Sequence, residues 1–386
     1  MKYHITRRGF LSSVATGVAF SALGCTTASV KANKPFSWSR TLTTFRDEKT
    51  GALVRRLTSG DSRDEVIYQT HPMWVSGMDY LVFNSDRSGH GMQPHILDSR
   101  TGTIRPLADQ PVADYVVARK SAAIYVLRDD AIWAHDTTRA FLDNAPGRWI
   151  ADWPEGVGHQ GMLSLDATER VLYAGATFEP EKRWGIIALD LPRGTWRTIV
   201  EVDFLVGHVQ ANPEIPGVVS FCWETGGDAP QRTWLVDARD GIARPFYKET
   251  YEEWVTHEAW WGPDRMLFTI WPYDDARKAQ PHGVGVVDRA TGEHRIYYQM
   301  PAWHTAGSPD GRWVMADDFE RNLWLIDPST GERRLLTQGH NTKGVDTHPH
   351  ASFTPDSKGI VFTSSKFGNA DVFLVEIPEW ESLPVE

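Results

Sequence analysis

The sequence is short of cysteine. Only Cys25 and Cys222 occur in 386 residues, so no disulfide framework staples the fold. It is also short of positive charge: 40 Lys and Arg stand against 50 Asp and Glu, for a net charge of −10. That balance excludes a general nucleic-acid binder, whose phosphate contacts need a basic face. Long apolar runs are missing too. The stretch from Val14 to Leu23 is too short for a transmembrane helix.

What is present points to a large β core, with 41% hydrophobic residues and 17 tryptophans. Residues 1–30 stand apart from it. Thr6-Arg7-Arg8-Gly9-Phe10-Leu11 is a twin-arginine export pattern ahead of a short apolar run, which predicts a periplasmic protein. Ala22-Leu23-Gly24-Cys25 resembles a lipoprotein cleavage box, which would make Cys25 a lipid anchor. Cys222 lies in an apolar run and reads as a core thiol. Residues 31–42 read as a linker and 379–386 as a tail.

Between them one phrase recurs: an apolar strand, Asp, three residues, Gly, then a basic-apolar strand. It stands at Asp98–Gly102, Asp190–Gly194, Asp237–Gly241, Asp288–Gly292 and Asp327–Gly331, with a degraded copy at Asp136. The spacings from residue 98 are 38, 54, 47, 51 and 39. Asp bonds its own backbone in such a turn, and Gly takes positive φ. A period in the forties with short strands is the mark of propeller blades. Seven blades follow, at 70–107, 112–149, 159–201, 207–247, 256–298, 303–337 and 349–377. The last lacks its closing turn, and Asp47-Glu-Lys-Thr50-Gly51 supplies one at the other end. The N-terminal strand is therefore expected to complete blade seven, closing a single all-β, seven-bladed propeller over residues 43–378.

The innermost strand of a blade lines the central channel. Counting back from the proline after each such strand, His208, His304 and His350 lie five residues before Pro213, Pro309 and Pro355. His257 lies six before Pro263, as one bulged residue would allow, and His348 joins His350 on one strand face. His304, His348 and His350 together predict a divalent metal site for manganese, zinc or iron. His71 and His159 read instead as packing at blade edges. Loops beside the histidines carry Arg87, Arg183, Arg232, Arg277, Lys278, Arg321 and Lys366, a cationic rim that suits an anionic ligand. Trp74, Trp223, Trp260, Trp261 and Trp303 lie near the same mouth. A metal, a spare histidine and an arginine suit proton abstraction next to a carboxylate. On a polyuronic acid that chemistry is β-elimination.

The motifs Thr347-His348-Pro349-His350-Ala-Ser-Phe-Thr-Pro, Thr256-His257-Glu258-Ala259-Trp260, Gly207-His208, Phe221-Cys222 and Arg232-Thr-Trp-Leu-Val resemble those of the oligogalacturonate lyases. That family consists of seven-bladed propellers that cleave short pectin fragments and bind manganese. The resemblance implies His304, His348 and His350 as metal ligands, His257 as catalytic base and Arg232 as a catalytic-site cation. His208, Arg87, Arg183, Lys366 and Trp223 would then contact an oligogalacturonide. Two positions depart from the family pattern. Val345 stands where a fourth ligand, glutamine, is usual, and Trp223 replaces a histidine. The competing expectation is a non-catalytic periplasmic propeller of the TolB-like type, which would bind a protein or cell-wall glycan and need no polar convergence in its channel.

Overall fold

The computed structural model describes residues 42–180, 182–225, 229–250, 253–271 and 282–385. The twin-arginine segment, the Cys25 box, Arg277 and Lys278 lie outside these residues. Seven antiparallel sheets of four or five strands follow one another along the chain. The repeated Asp-x-x-x-Gly phrase forms the hairpin turns as its chemistry dictates. Asp98 Oδ1 accepts from the Arg100 amide at 2.8 Å, and the Gly102 amide returns to the Asp98 carbonyl at 2.8 Å. Asp47, Asp190, Asp237, Asp288 and Asp327 close their turns the same way. Asp136, the degraded copy, does something else. Its carboxylate caps the helix Thr137–Asp143 by accepting from the Arg139 amide.

The ring closes through blade seven. Leu53–Arg56 pairs with Asp371–Glu376, placing Val54 opposite Val375, and Arg55 meets Glu376 at 2.5 Å. Two N-terminal strands take part rather than one, because Thr43–Arg46 folds back on Leu53–Arg56 across the Asp47 turn. Apolar clusters then bridge blade to blade. One unites Leu81, Val82 and Phe83 of blade one with Val361 and Val372 of blade seven across the seam. A fully buried phenylalanine contributes about 2–3 kcal/mol, and Phe83, Phe362 and Phe373 are all fully buried near this closure.

Two departures from regular strands decide where side chains point. The first lies in blade one, whose inner strand starts at Asp64 rather than near residue 70. Asp64–Val66 and Trp74–Val75 both pair with Tyr80–Ser85, and the chain between them leaves the sheet. Val66 sits opposite Phe83, while the Val82 amide bonds the Met73 carbonyl at 2.8 Å. Residues 67–72 therefore loop out from a single point in the ladder.

The second departure repeats in the inner strands Val206–Ala211, Trp254–Trp261 and Ala302–Gly307. In each, two residues oppose one on the neighbouring strand: 208 and 209, 257 and 258, and 303 and 304. Counting back from proline is thus misleading by one place. His208 and His257 take the first bulge position, with left-handed backbones of φ 46° and 56°, whereas His304 takes the second. His350 shares the left-handed conformation at φ 40°. Such backbone is costly for a non-glycine residue and persists where surrounding contacts demand it.

Candidate metal and catalytic centre

The three bulges, with the left-handed backbone at His350, bring histidines from four blades to one end of the channel. The ring centres of His257 and His304 are 4.3 Å apart, and those of His304 and His350 are 4.7 Å apart. His304, His348 and His350 each offer a donor atom, and those atoms lie within 4.8 Å of one another. Two donors at about 2.1 Å on opposite sides of one ion stand about 4.2 Å apart. Small side-chain rotations therefore let all three grip a shared cation.

His304 is the most closely held of the three. Its Nδ1 lies 2.9 Å from Asp317 Oδ2, and its backbone amide donates to Asp317 Oδ1 at 2.5 Å. A carboxylate on Nδ1 fixes the tautomer and leaves Nε2 as the donor to a metal. Asp317 occupies the single position opposite the 303–304 bulge, which is why it meets both the amide and the ring. Trp303, at the other bulge position, sets its indole edge-on to His348 at 4.3 Å between centres. Burial, and beyond it the neighbouring His304, hold His348 and His350 below the usual histidine range. Neutral imidazole is the form a cation binds. Val345 offers no donor atom. Asp346 Oδ1 stands 3.7 Å from His348 Nε2, but it is exposed and does not join the three-histidine cluster.

His257 is also neutral. Burial first, then His304 and His208, push it well below the histidine range. Its Nδ1 lies 3.4 Å from the Thr269 hydroxyl, which itself donates toward the Thr256 and Trp303 carbonyls. Thr269 is thus an acceptor for the Nδ1 proton, and Nε2 keeps its lone pair.

Beside the histidines lies a buried charge network. Arg232 Nε donates to Glu258 Oε1 at 2.6 Å, and both side chains are almost fully buried. Burial opposes the Arg232 charge, but Glu258 outweighs it and keeps the guanidinium firmly protonated. Glu249 anchors the same strand start by accepting from the Arg232 and Thr233 amides, each at 2.8 Å. His208 stands between two carboxylates, with Nε2 3.6 Å from Glu224 and Nδ1 3.6 Å from Glu258. Cys222 is a buried free thiol against Glu224.

The structure therefore gathers His208, Arg232, His257, His304, His348 and His350. Arg87, Arg183 and Lys366 of the outer rim are engaged elsewhere. Arg87 is bound to Asp64 at 2.5 Å, because that buried carboxylate needs a cation. Arg183 faces Glu201 at 3.5 Å. Lys366 borders a surface cleft with Asp47, Glu48 and Glu320. Trp223 stacks on Phe204 at 5.1 Å. Trp74 and Trp261 are buried in the sheets. His71 and His159 pack as the sequence suggests, the first against the Leu163 carbonyl and the second against Asp114 and Trp153.

Sequence reasoning missed Asp317, Glu258 and Tyr68. Regular alternation sends Glu258 away from the face of His257, and only the bulge permits both near the axis. Tyr68 rides on the loop 67–72 into the middle of the ring. Its ring centre lies 5.0 Å from that of His350, 5.4 Å from His208, 6.0 Å from His304 and 6.5 Å from His257. A pocket of about 340 Å³ opens beside it, with Glu65, Asn84, Asp114, Tyr115 and His350 among its walls.

No family model matches the chain. It is 29% identical to the oligogalacturonide lyase of Pectobacterium atrosepticum, over 88% of this chain and 97% of that protein. It is 27% identical to the oligogalacturonate lyase of Dickeya dadantii, where the match spans 50% of this chain and 55% of the relative. Among solved structures, an oligogalacturonate lyase in complex with manganese superposes with a TM-score of 0.77 at 22% identity, covering 88% of this chain and 96% of that one. The oligogalacturonate lyase of Vibrio parahaemolyticus gives 0.76 at 21% identity, covering 88% and 97%. The likeness thus runs almost end to end along a curated oligogalacturonide lyase, and the ring is similar to those of two solved oligogalacturonate lyases.

Proposed function

We propose that the protein is a divalent-metal-dependent lyase that cleaves oligogalacturonides by β-elimination. The observation that carries the reading is the pairing of two chemically distinct sites. A three-histidine donor set lies beside a fourth histidine, His257, whose ring centre is 4.3 Å from that of His304. A binding propeller would need neither.

His304, His348 and His350 would hold the ion, with manganese favoured by the solved relative. When bound, it would supply the positive charge that stabilises a uronate carboxylate as its neighbouring carbon loses a proton. The protein needs such a charge, because Arg232 is already matched by Glu258 and, at 3.6 Å, by Glu224. His257 accepts the C5 proton on Nε2. Thr269 steadies its Nδ1–H, and the surrounding burial keeps the imidazole free of a proton beforehand. His208 and Arg232 border the same space and would orient the sugar.

The twin-arginine pattern at Arg7 and Arg8 extends the proposal to an exported, periplasmic enzyme whose propeller spans residues 43–378. The test is direct. Mature protein incubated with digalacturonate or trigalacturonate and manganese should generate the ultraviolet absorbance of a 4,5-unsaturated product. Metal-loaded protein that yields no such product from any oligouronide would refute the reading.

A further inference from the structure

We propose that Tyr68 is the catalytic acid of this site, giving its phenolic proton to the glycosidic oxygen as the leaving sugar departs. The inference rests on the lyase reading above and adds the second of its two proton movements.

Elimination moves two protons at two different atoms. One leaves C5, and its electron pair becomes the C4–C5 double bond. The C4–O bond breaks at the same time or afterwards, and its pair stays on the departing oxygen. That oxygen needs a proton, because an alkoxide is a poor leaving group. The enzyme ends with a protonated His257 and a Tyr68 phenolate, and exchange with water restores both. No further reactant is needed.

Two of the central histidines are poor candidates for the second proton. His257 is neutral and its Nε2 must accept. His304 keeps its one ring proton on Asp317, and its other nitrogen belongs to the metal set. Thr269 directs its hydroxyl at backbone carbonyls. Arg232 is almost fully buried and bonded to Glu258.

Tyr68 differs in placement and in chemistry. Its ring centre lies within 6.5 Å of those of His208, His257, His304 and His350, which come from blades four, five, six and seven. The chain leaves the sheet for residues 67–72 to put it there, although the flanking strands would pair without that excursion. It also lines the pocket beside His350, so its position bridges the metal set and open space. A phenol is an O–H donor, so it has a proton to give.

The experiment compares wild type with Tyr68→Phe, each loaded with manganese, on digalacturonate in deuterated water. Three quantities are read: product formation, deuterium appearing at C5 of recovered substrate, and bound metal per chain. The expected result is a fall in product formation of about 100-fold or more, with full metal content and with deuterium still entering C5. A methyl 4-deoxy-4-fluorogalacturonide, whose fluoride leaves without a proton, should be turned over almost equally by both proteins. Tyr68→Phe within about threefold of wild type on digalacturonate would overturn the assignment while leaving the lyase reading intact. So would loss of C5 exchange, which would place Tyr68 at the first proton, or loss of metal, which would make it structural. A wild type that forms no product would instead overturn the lyase reading, and this role with it.

Discussion

Asp317 grips His304 twice, through the ring Nδ1 at 2.9 Å and the backbone amide at 2.5 Å. One carboxylate thus sets both the tautomer of a candidate ligand and the backbone that carries it. Asp317→Asn should keep the fold but weaken the ring contact. Manganese affinity should fall about 10- to 100-fold, as measured by titration against a metal-sensitive dye. Unchanged affinity would show that His304 needs no such orientation.

Metal binding should also be visible without any substrate. Trp303 holds its indole 4.3 Å from the His348 ring, centre to centre. A paramagnetic manganese ion held by His348 should quench that indole. Fluorescence of the metal-free protein is expected to drop on adding manganese and recover with a chelator. The drop should shrink in Trp303→Phe and vanish in a His348→Ala, His350→Ala double variant.

The Arg232–Glu258 pair makes a stability prediction with a definite sign. Both side chains are nearly excluded from water, so removing one strands the other. Glu258→Gln should cost about 3 kcal/mol or more, read as a lower urea midpoint. Adding Arg232→Met should restore part of that loss, because the orphaned charge is gone. Activity would not return, since Arg232 borders the site.

Acid should unfold the ring through its buried neutral histidines. His340 bonds Ser364 through Nδ1 at 3.0 Å and Thr337 through Nε2 at 3.1 Å. Burial, and then Lys366, push it down to about 3. In the unfolded chain it would titrate near 6.5, so that state takes up protons first as pH falls. Stability therefore drops from about pH 6.5 downward, by up to about 1.4 kcal/mol per pH unit for this group. His340→Gln should flatten the slope of urea-measured stability between about pH 6.5 and 4.5. A slope that does not change would place the acid sensitivity elsewhere.

Much of the architecture was legible because turn chemistry is local. Asp47 and Asp327 close their turns with atoms a few residues away, so their spacing announces the blades directly. The cluster of His304, His348 and His350 was legible for a related reason, since each inner strand runs down the axis. The histidine register was less secure. A bulge adds a residue without a sequence mark, and it set His304 one place beyond His208 and His257. The charged rim was the least readable part. Arg87 looks free in one dimension but meets Asp64, twenty-three residues earlier in the chain, as its ion partner.

By itself the sequence determined the number of blades, the closure of the ring by its own N-terminal strand, and which residue types could meet at the axis. These follow from short-range turn bonds and from the two-residue period of a strand. Only the tertiary structure decided which groups share the centre: Asp317 behind His304, Glu258 against Arg232, and Tyr68 among four histidines. Those contacts join different blades or hang on breaks in the ladder, and a ladder's defects are settled by what the neighbouring sheets press against them.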